Sequence, residues 1–291
     1  MNYTIKNGYC SAVINDFGAE LISLKNADGK EFVWQNESKK FWKSHAPLLF
    51  PVCGRLKDSK YKYNGKVYDM TTHGFIGKRS FTLKEFGEDY VILTDKADEQ
   101  TKSIYPFDYI FTAKYELIGK SLKFSVTIEN KDDKAMPYMF GWHPGFVLPT
   151  DNGQDIEDYS LDFKGCEKLG WIPLQNEVFA RPYAEDYELK NGKYIFSEDE
   201  IYRNDTLIFI DHKNAIEMTA KDRPTYLKMS WSENLPYLCI WKDPDNEAKF
   251  ICLEPWSNVP GDGFAEEDFE TRKMASLAPN EAEDYSYTVE I

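Results

Sequence analysis

The chain lacks the features by which nucleic-acid-binding and membrane-spanning proteins are usually recognised. It has 35 basic against 49 acidic residues, a formal net charge of −14, and no run of lysine or arginine that could follow a phosphate backbone. Its longest apolar run, residues 46–53, contains two prolines and is far too short to span a bilayer. We therefore expect no nucleic-acid partner and no membrane partner.

Disulfide and secretion signals are missing as well. The cysteines are five in number, none belongs to a C-x-x-C motif, and most have apolar neighbours (Cys10, Cys53, Cys166, Cys239 and Cys252). Residues 1–6 lack the apolar stretch of a signal peptide. Unpaired cysteines are typical of reducing compartments. The sequence therefore predicts a soluble, cytoplasmic protein and leaves its oligomeric state open.

Long helical patterns are also absent. No stretch longer than about ten residues repeats apolar side chains at i, i+3, i+4 and i+7, and no G-x-x-x-x-G-K-[ST] phosphate loop is present. Instead, apolar and polar residues alternate over 122–128, as in a strand with one buried face. Asp-Gly or Asn-Gly pairs at 28–29, 64–65 and 191–192 suit tight hairpin turns. These patterns predict an all-β chain of antiparallel sheets.

The length fits one large domain. All-β sandwiches and barrels often reach 291 residues as a single unit. Hydrophobic residues make up 42% of the chain and aromatic residues 15%, which is ample material for one core. Because no repeat and no low-complexity linker divides the chain, we expect a single domain over residues 1–291.

The few histidines have unusual surroundings. Of four histidines, His73 lies in the segment THGF and His143 in the segment GWHPGF, both rich in glycine or proline and in aromatic residues. Such strand ends and loops often hold binding and catalytic groups. Glu254 follows the apolar run 250–253 and precedes Pro-Trp. A carboxylate at the end of a buried strand is costly unless it is paired or functional.

These groups together suit chemistry on a sugar. Aromatic rings offer faces for the C–H side of a pyranose, and imidazoles with a carboxylate can move protons near neutral pH. Arg55 ends the segment PVCG and can bind hydroxyls or form a structural ion pair. A purely structural, hydrogen-bonded histidine is the competing interpretation for His73 and His143, and the favoured one for His45 and His212.

In kind and order, these segments resemble the aldose 1-epimerase (galactose mutarotase-like) family, and most closely its LacX-like branch. The resemblance covers nearly the whole chain and rests on GAEL at 18–21, GR at 54–55, HGF at 73–75, HPGF at 143–146 and EPW at 254–256. It implies a large antiparallel β-sandwich of the galactose mutarotase-like type, which binds a free sugar on its concave face.

The resemblance also implies an isomerase and its catalytic residues. Glu254 matches the general base that deprotonates the anomeric hydroxyl, and His143 the general acid that protonates the ring oxygen. His73 matches the second histidine at the reacting oxygens. One base and one acid are sufficient for ring opening, so no metal and no organic cofactor is expected. The acid should have a raised pKa, which the charge of Glu254 can supply.

Substrate-binding residues follow from the same resemblance. Arg55 matches a substrate-binding arginine, and Asp205, just before an apolar strand, is our choice for the substrate-binding aspartate. The family's usual Asp-His pair is missing there, so Asp211, which precedes a histidine, is the rival position. Trp142 and Phe75, the aromatic residues next to the histidine motifs, are predicted to contact the sugar.

Other functions remain open from the residues alone. Two histidines and a carboxylate also describe a facial metal site, and a glycosidase would need a second carboxylate near Glu254, such as Asp205 or Asp262. A non-catalytic carbohydrate-binding or sensing protein would use the same aromatic and polar groups.

The sugar is not specified. A phosphorylated hexose would require an additional cationic pocket, for which Lys57, Lys78 and Arg79 are the candidates.

Overall fold

The computed structural model describes residues 1–36, 39–149, 154–175, 179–197, 200–201, 204–221, 223–245, 247–261, 263 and 267–291. The first strands are β1 (Asn2–Lys6), β2 (Cys10–Asn15), β3 (Glu20–Asn26), β4 (Leu48–Leu49), β5 (Lys60–Tyr63), β6 (Lys66–Asp69), β7 (Thr82–Phe86), β8 (Tyr90–Lys96), β9 (Tyr109–Ile118), β10 (Ser121–Asn130), β11 (Met136–Tyr138), β12 (Gly141–Trp142) and β13 (Gly145–Val147). They are followed by β14 (Tyr159–Asp162), β15 (Lys168–Ile172), β16 (Leu174–Gln175), β17 (Phe179–Ala180), β18 (Glu185–Glu188), β19 (Lys193–Ile195), β20 (Thr206–Ile210), β21 (Ala215–Ala220), β22 (Arg223–Trp231), β23 (Tyr237–Trp241), β24 (Phe250–Trp256), β25 (Glu267–Asp268), β26 (Ala275–Leu277) and β27 (Ala282–Glu290).

Helical structure in these ranges is short. It includes α1 (Glu99–Ile104) and the 3₁₀ turns Lys57–Ser59, Ile76–Lys78 and Ile156–Asp158. Asp98 caps α1 by accepting a hydrogen bond from the Thr101 backbone N–H. None of these helices is long and apolar enough to cross a membrane.

Two large sheets dominate the molecule. A nine-stranded sheet has the order β19-β14-β21-β22-β27-β10-β9-β8-β7, and an eight-stranded sheet has the order β18-β15-β20-β23-β24-β12-β4, with β13 also paired to β24. Their strand pairs are antiparallel throughout; the short pair of β25 with β5, in a small separate sheet, is parallel. The predicted all-β, antiparallel β-sandwich is confirmed.

Alternation and turn chemistry explain why these segments form strands. Along β10 the side chains at 122, 124, 126 and 128 are buried, as the sequence predicts. Asn64 and Gly65 have φ of 48° and 71° and join β5 to β6, which is the two-residue turn predicted there. Asn191 and Gly192, with φ of 55° and 75°, form the equivalent turn before β19.

The core lies between the two sheets and is rich in aromatic rings. Phe124 on β10 and Tyr287 on β27 pack against Trp142 on β12, with ring centroids 5.1 and 5.2 Å from the indole. At another point of the sandwich, Tyr194 of β19 packs against Phe209 of β20 at 5.5 Å. Burial of such large side chains is the main stabilising term of the sandwich.

Candidate functional site

Strand β24 places the side chain of Glu254 on the face of its sheet opposite to that of Ile251 and Leu253. All seven residues of the strand are buried, but alternate side chains have different neighbours. Ile251 and Leu253 belong to the main core, whereas Cys252 packs in a second apolar cluster with Trp34 and Phe250. Because side chains two residues apart share a face of a strand, Glu254 lies on the same face as Cys252.

A cavity of about 470 Å³ opens over this face. Five of the seven predicted site residues line it, namely Arg55, His73, His143, Asp205 and Glu254. Arg55 and His73 lie in the loops after β4 and β6, and His143 follows β12. Asp205 precedes β20 and Glu254 belongs to β24, so the fold brings together groups that are far apart in the sequence. The volume is in the range of small-molecule sites.

Glu254 and His143 form a close, buried pair. The Nε2 atom of His143 lies 3.2 Å from the Oε1 atom of Glu254, and the two side chains are 9% and 1% exposed. This contact is not aligned as a hydrogen bond, and neither carboxylate oxygen forms a hydrogen bond of normal distance and angle with a described residue. The Trp256 side chain is near enough to oppose the rise in the pKa of Glu254, but it is not aligned as a donor. A buried carboxylate without partners is costly, so the position is suited to a ligand that donates hydrogen bonds.

Burial shifts the pKa values of this pair in opposite directions. Desolvation, with a smaller contribution from Asp205, raises the pKa of Glu254 well above its usual value. Desolvation, with a smaller contribution from His73, lowers the pKa of His143 well below its usual value. The expectation of a raised pKa for His143 is therefore wrong, because the loss of hydration outweighs any attraction by Glu254. Both shifts favour a pair that holds one proton and has no net charge.

His73 is oriented by its own backbone turn. Its φ is 63°, and its Nδ1 atom accepts a hydrogen bond of 3.1 Å from the Gly54 N–H. Nδ1 is thus unprotonated, so the neutral ring carries its proton on Nε2. Burial, together with the charges of Arg55 and Lys78, lowers the pKa of His73 to about 4. The ring is consequently a neutral hydrogen-bond donor at neutral pH.

The glycine after His73 is required by close backbone packing. Gly74 has φ of 72°, and a Cβ atom there would lie 2.1 Å from the Phe50 carbonyl oxygen. Any other residue would push the turn away from β4 and displace the imidazole. The HGF segment therefore places His73 beside His143, with ring centroids 5.4 Å apart.

Charged residues line the cavity in addition to the buried pair. Arg55, Lys78 and Asp205 belong to its walls, and all three are solvent-exposed. Arg79, a candidate for a cationic pocket, instead forms salt bridges to Asp95 and Asp98, at 3.1 and 2.8 Å. Lys57 is not among the lining residues.

The two candidate aspartates have different positions. Asp205 lines the cavity, immediately before β20, and has φ of 58°. Asp211 follows β20 at its other end, is exposed, and is not a lining residue. Of these two aspartates, only Asp205 lines the cavity. Asp262, the second carboxylate considered for a glycosidase, lies outside the described residues.

Trp142 and Phe75 do not line the cavity, which corrects their prediction as sugar contacts. The Trp142 side chain is fully buried between the sheets, where its Nε1–H donates to the Ala46 carbonyl oxygen. Phe75 packs in the aromatic core, with its ring centroid 6.1 Å from that of Phe50. Trp142 precedes His143 and Phe75 follows His73 by two positions, yet both side chains point into the core. Proximity to the histidines in the sequence therefore did not predict proximity to the cavity.

Other tryptophans supply the aromatic walls. Trp42, Trp241 and Trp256 line the cavity, and Trp42 stacks on His143 with ring centroids 4.9 Å apart. Trp256 belongs to the EPW motif, two residues from Glu254 and on the same face of β24, so the period of a strand could have identified it. Trp42 and Trp241 gave no comparable signal in the sequence.

Metal-ligand groups are also present beside the pair. In the part of the chain that the structure describes, His143, Cys252 and Glu254 offer one ligand atom each, and these three atoms lie within 4.8 Å of one another. The set considered from the sequence, two histidines and a carboxylate, differs from this group because His73 is not a member.

Comparisons with known proteins give the relationship directly. The family model described as aldose 1-epimerase matches residues 1–274. The chain belongs to the aldose 1-epimerase family. It is 30% identical over 277 residues to the protein LacX of Lactococcus lactis subsp. lactis, covering 89% of this chain and 88% of that protein. The resemblance inferred from the five short motifs is confirmed.

Solved structures agree with this assignment. A galactose mutarotase related enzyme from Lactobacillus acidophilus is 29% identical, with a TM-score of 0.92, over 100% of this chain and 97% of the other. A galactose mutarotase-like protein from Lactobacillus casei is 26% identical, with a TM-score of 0.91, over 100% and 99% of the two chains. The galactose mutarotase-like β-sandwich therefore extends over the full length of this chain.

Proposed function

We propose that the chain is an aldose 1-epimerase, an isomerase that interconverts the α and β anomers of an aldohexose or a hexose phosphate. The observation that carries this proposal is the buried pair of Glu254 and His143, 3.2 Å apart, at a cavity with aromatic walls. An acid and a base side by side can serve two oxygens of one sugar ring, O1 and O5.

The reaction requires one proton to leave the anomeric hydroxyl and another to reach the ring oxygen. Glu254 as carboxylate accepts the proton of the C1 hydroxyl, and protonated His143 donates to the ring oxygen, which opens the ring to the aldehyde. This ion-pair form contains the same single proton as the neutral pair that burial favours. Moving that proton from Glu254 to His143 on sugar binding thus prepares both groups without exchange with solvent.

His73 completes the acid side of the site. Because its pKa of about 4 keeps the ring neutral and its Nδ1 is occupied by the Gly54 N–H, it can offer an Nε2–H to the reacting oxygen. A neutral donor stabilises charge that develops on this oxygen without supplying a second competing acid. Arg55 and Asp205 hold the remaining hydroxyls, and rotation of the aldehyde before closure gives the opposite anomer.

The partner is accordingly a small sugar, and galactose and glucose are the first substrates to test because solved relatives are named for galactose mutarotase. The decisive experiment is polarimetry of freshly dissolved α-anomer with catalytic amounts of protein. We expect the approach to anomeric equilibrium to accelerate in proportion to protein concentration, in the presence of a chelator as well as in its absence. Loss of activity in the chelator, restored by iron or zinc, would contradict the acid–base mechanism.

A non-catalytic carbohydrate-binding or sensing protein is the second candidate, since the same aromatic and polar groups can hold a sugar without turnover. It predicts saturable binding by calorimetry and no acceleration of anomerisation for any hexose or hexose phosphate. The opposite pKa shifts of Glu254 and His143 favour catalysis, because perturbed acid–base groups are concentrated at catalytic sites.

A further inference from the structure

Next to the proposed acid and base lies a thiol that the epimerase reaction does not use. Cys252 is two residues from Glu254 on the same face of β24 and is fully buried. Its backbone pairs with Gly145 of β13, the strand that begins two residues after His143. These two strands therefore bring a sulfur, an imidazole and a carboxylate to one point of the sheet.

The three ligand atoms are close enough to share an ion. One atom each from His143, Cys252 and Glu254 lie within 4.8 Å of one another. Ligand atoms around a tetrahedral zinc are separated by roughly 3.3 to 3.8 Å, given bond lengths of about 2.0 to 2.3 Å. The separations in the group therefore exceed those of a zinc site by about 1 Å at most.

A second observation points to a ligand at this place. Both oxygens of Glu254 and the Nδ1 atom of His143 are buried without a hydrogen-bond partner in the described ranges. Unpaired buried polar atoms need compensation. Nitrogen, thiolate and carboxylate ligands are the donor set of zinc and cobalt, whereas calcium and magnesium prefer oxygen alone.

We propose that His143, Cys252 and Glu254 form a binding site for a thiophilic divalent cation, with Zn²⁺ as the reference ion, and that this ion inhibits the enzyme. Binding releases the thiol proton of Cys252 and the carboxyl proton of Glu254, while His143 contributes a neutral nitrogen. Since the ion engages the proposed acid and base, metal and sugar exclude each other.

The neighbourhood supports soft-metal rather than hard-metal binding. Cys252 lies in a cluster with Trp34 and Phe250, against which Trp42 and Trp241 also pack. An apolar surrounding strengthens a metal–thiolate bond and restricts water.

The test uses Co²⁺ as a spectroscopic substitute for Zn²⁺, on protein without an affinity tag. We expect a thiolate-to-cobalt charge-transfer band and visible bands of a low-coordinate ion, saturating at one Co²⁺ per chain and abolished by Zn²⁺. Cys252→Ala should lose the charge-transfer band, and so should Cys252→Ser, which keeps the side-chain volume. Cys10→Ala is the matched control, because Cys10 is also buried but lies in β2, where its thiol contacts the Gly119 carbonyl oxygen.

Inhibition provides an independent measurement that rests on the proposed function. Zn²⁺ should slow mutarotation reversibly and compete with sugar, and Cys252→Ala should weaken this inhibition more than about tenfold, since even second-shell changes typically alter metal affinity by about 10 to 100-fold. The cobalt spectrum requires no turnover, so its absence from the wild type, or its persistence in Cys252→Ala, rejects the metal site alone. If the cobalt spectrum is present but the protein does not accelerate anomerisation, the proposed epimerase activity is rejected and the metal site is retained.

Discussion

The Nε2 atom of His143 and the Oε1 atom of Glu254 are 3.2 Å apart and almost fully withdrawn from water. Desolvation disfavours a charge on either group, and the proximity of the groups allows one proton to serve both. Their titration therefore belongs to the pair and not to either residue. The first two predictions follow from this coupling.

Glu254→Gln should abolish turnover while binding survives. The amide keeps the shape of the side chain but cannot accept the anomeric proton, and general acid–base groups contribute about 10² to 10⁴-fold each. We expect kcat to fall in that range, with the sugar Kd from calorimetry within about threefold of wild type, because the amide keeps most polar contacts.

His143→Asn should have a similar effect, and the double variant should be little worse than either single one, since acid and base act in one step. Glu233→Gln, a carboxylate outside the cavity lining, is the matched control. Retention of more than about a tenth of the wild-type rate by Glu254→Gln would place the base elsewhere.

The two limbs of the pH profile of kcat/KM should both belong to the titration of the Glu254–His143 pair. The active pair holds one proton; a second proton binds mainly at His143, whose pKa is lowered, so the acid limb lies below the usual histidine value of 6.5. The remaining proton leaves mainly from Glu254, whose pKa is raised, so the alkaline limb lies above the usual carboxyl value of 4.5. A rate that instead rises with pH through about 6.5 would indicate an independent histidine base.

Much of the fold could be predicted from local signals. The alternation over 122–128 and the turns at 64–65 and 191–192 are properties of short segments, and the structure confirms them. The order of strands in the two sheets is not local, because it depends on which faces fit together across the core. No pattern in the sequence indicated that β24 would pair with both β12 and β13.

The site was predictable in part, and the reason differs from residue to residue. Glu254 was identifiable because a carboxylate at the end of an apolar run contradicts simple burial. Trp142 failed as a prediction because a residue next to His143 in the sequence points to the opposite face, here into the core. Trp42 could not be found, since its stacking on His143 depends on the path of a long loop.

Substitutions of Asp205 and of Asp211 should have clearly different effects on KM. Asp205→Asn should raise KM for the substrate about three- to tenfold, because hydrogen bonds to a charged group contribute about 1.5–3 kcal/mol and the amide retains part of that. Asp211→Asn should leave KM and kcat unchanged, since Asp211 is exposed outside the cavity lining. The reverse pattern would identify Asp211 as the binding aspartate and contradict the geometry.

Trp142→Ala should affect stability and not sugar recognition. The substitution removes a fully buried indole packed against Phe124 and Tyr287, and such changes lower the free energy of unfolding by about 3–5 kcal/mol. We expect this loss in urea denaturation followed by circular dichroism, with KM of the folded fraction close to wild type. A KM increase without loss of stability would indicate that Trp142 contacts the sugar after all.

Substitution of Lys78 tests whether the substrate is a phosphorylated or a free sugar. Lys78 and Arg55 both line the cavity and both depress the pKa of His73, so their positive charges act on the same space. If that space receives a phosphate group, Lys78→Met should raise KM for hexose 6-phosphate at least about tenfold, the equivalent of one charge-assisted hydrogen bond.

KM for the free hexose should change less than about twofold under the same substitution, because a neutral hydroxyl gains little from an exposed ammonium group. Lys57→Met is the matched control, since Lys57 belongs to the preceding 3₁₀ turn and is not a lining residue. Parallel mutarotation assays of glucose and glucose 6-phosphate measure the difference. Equal changes in KM for the two sugars would show that Lys78 does not bind a phosphate group. The substrate would then be the free hexose.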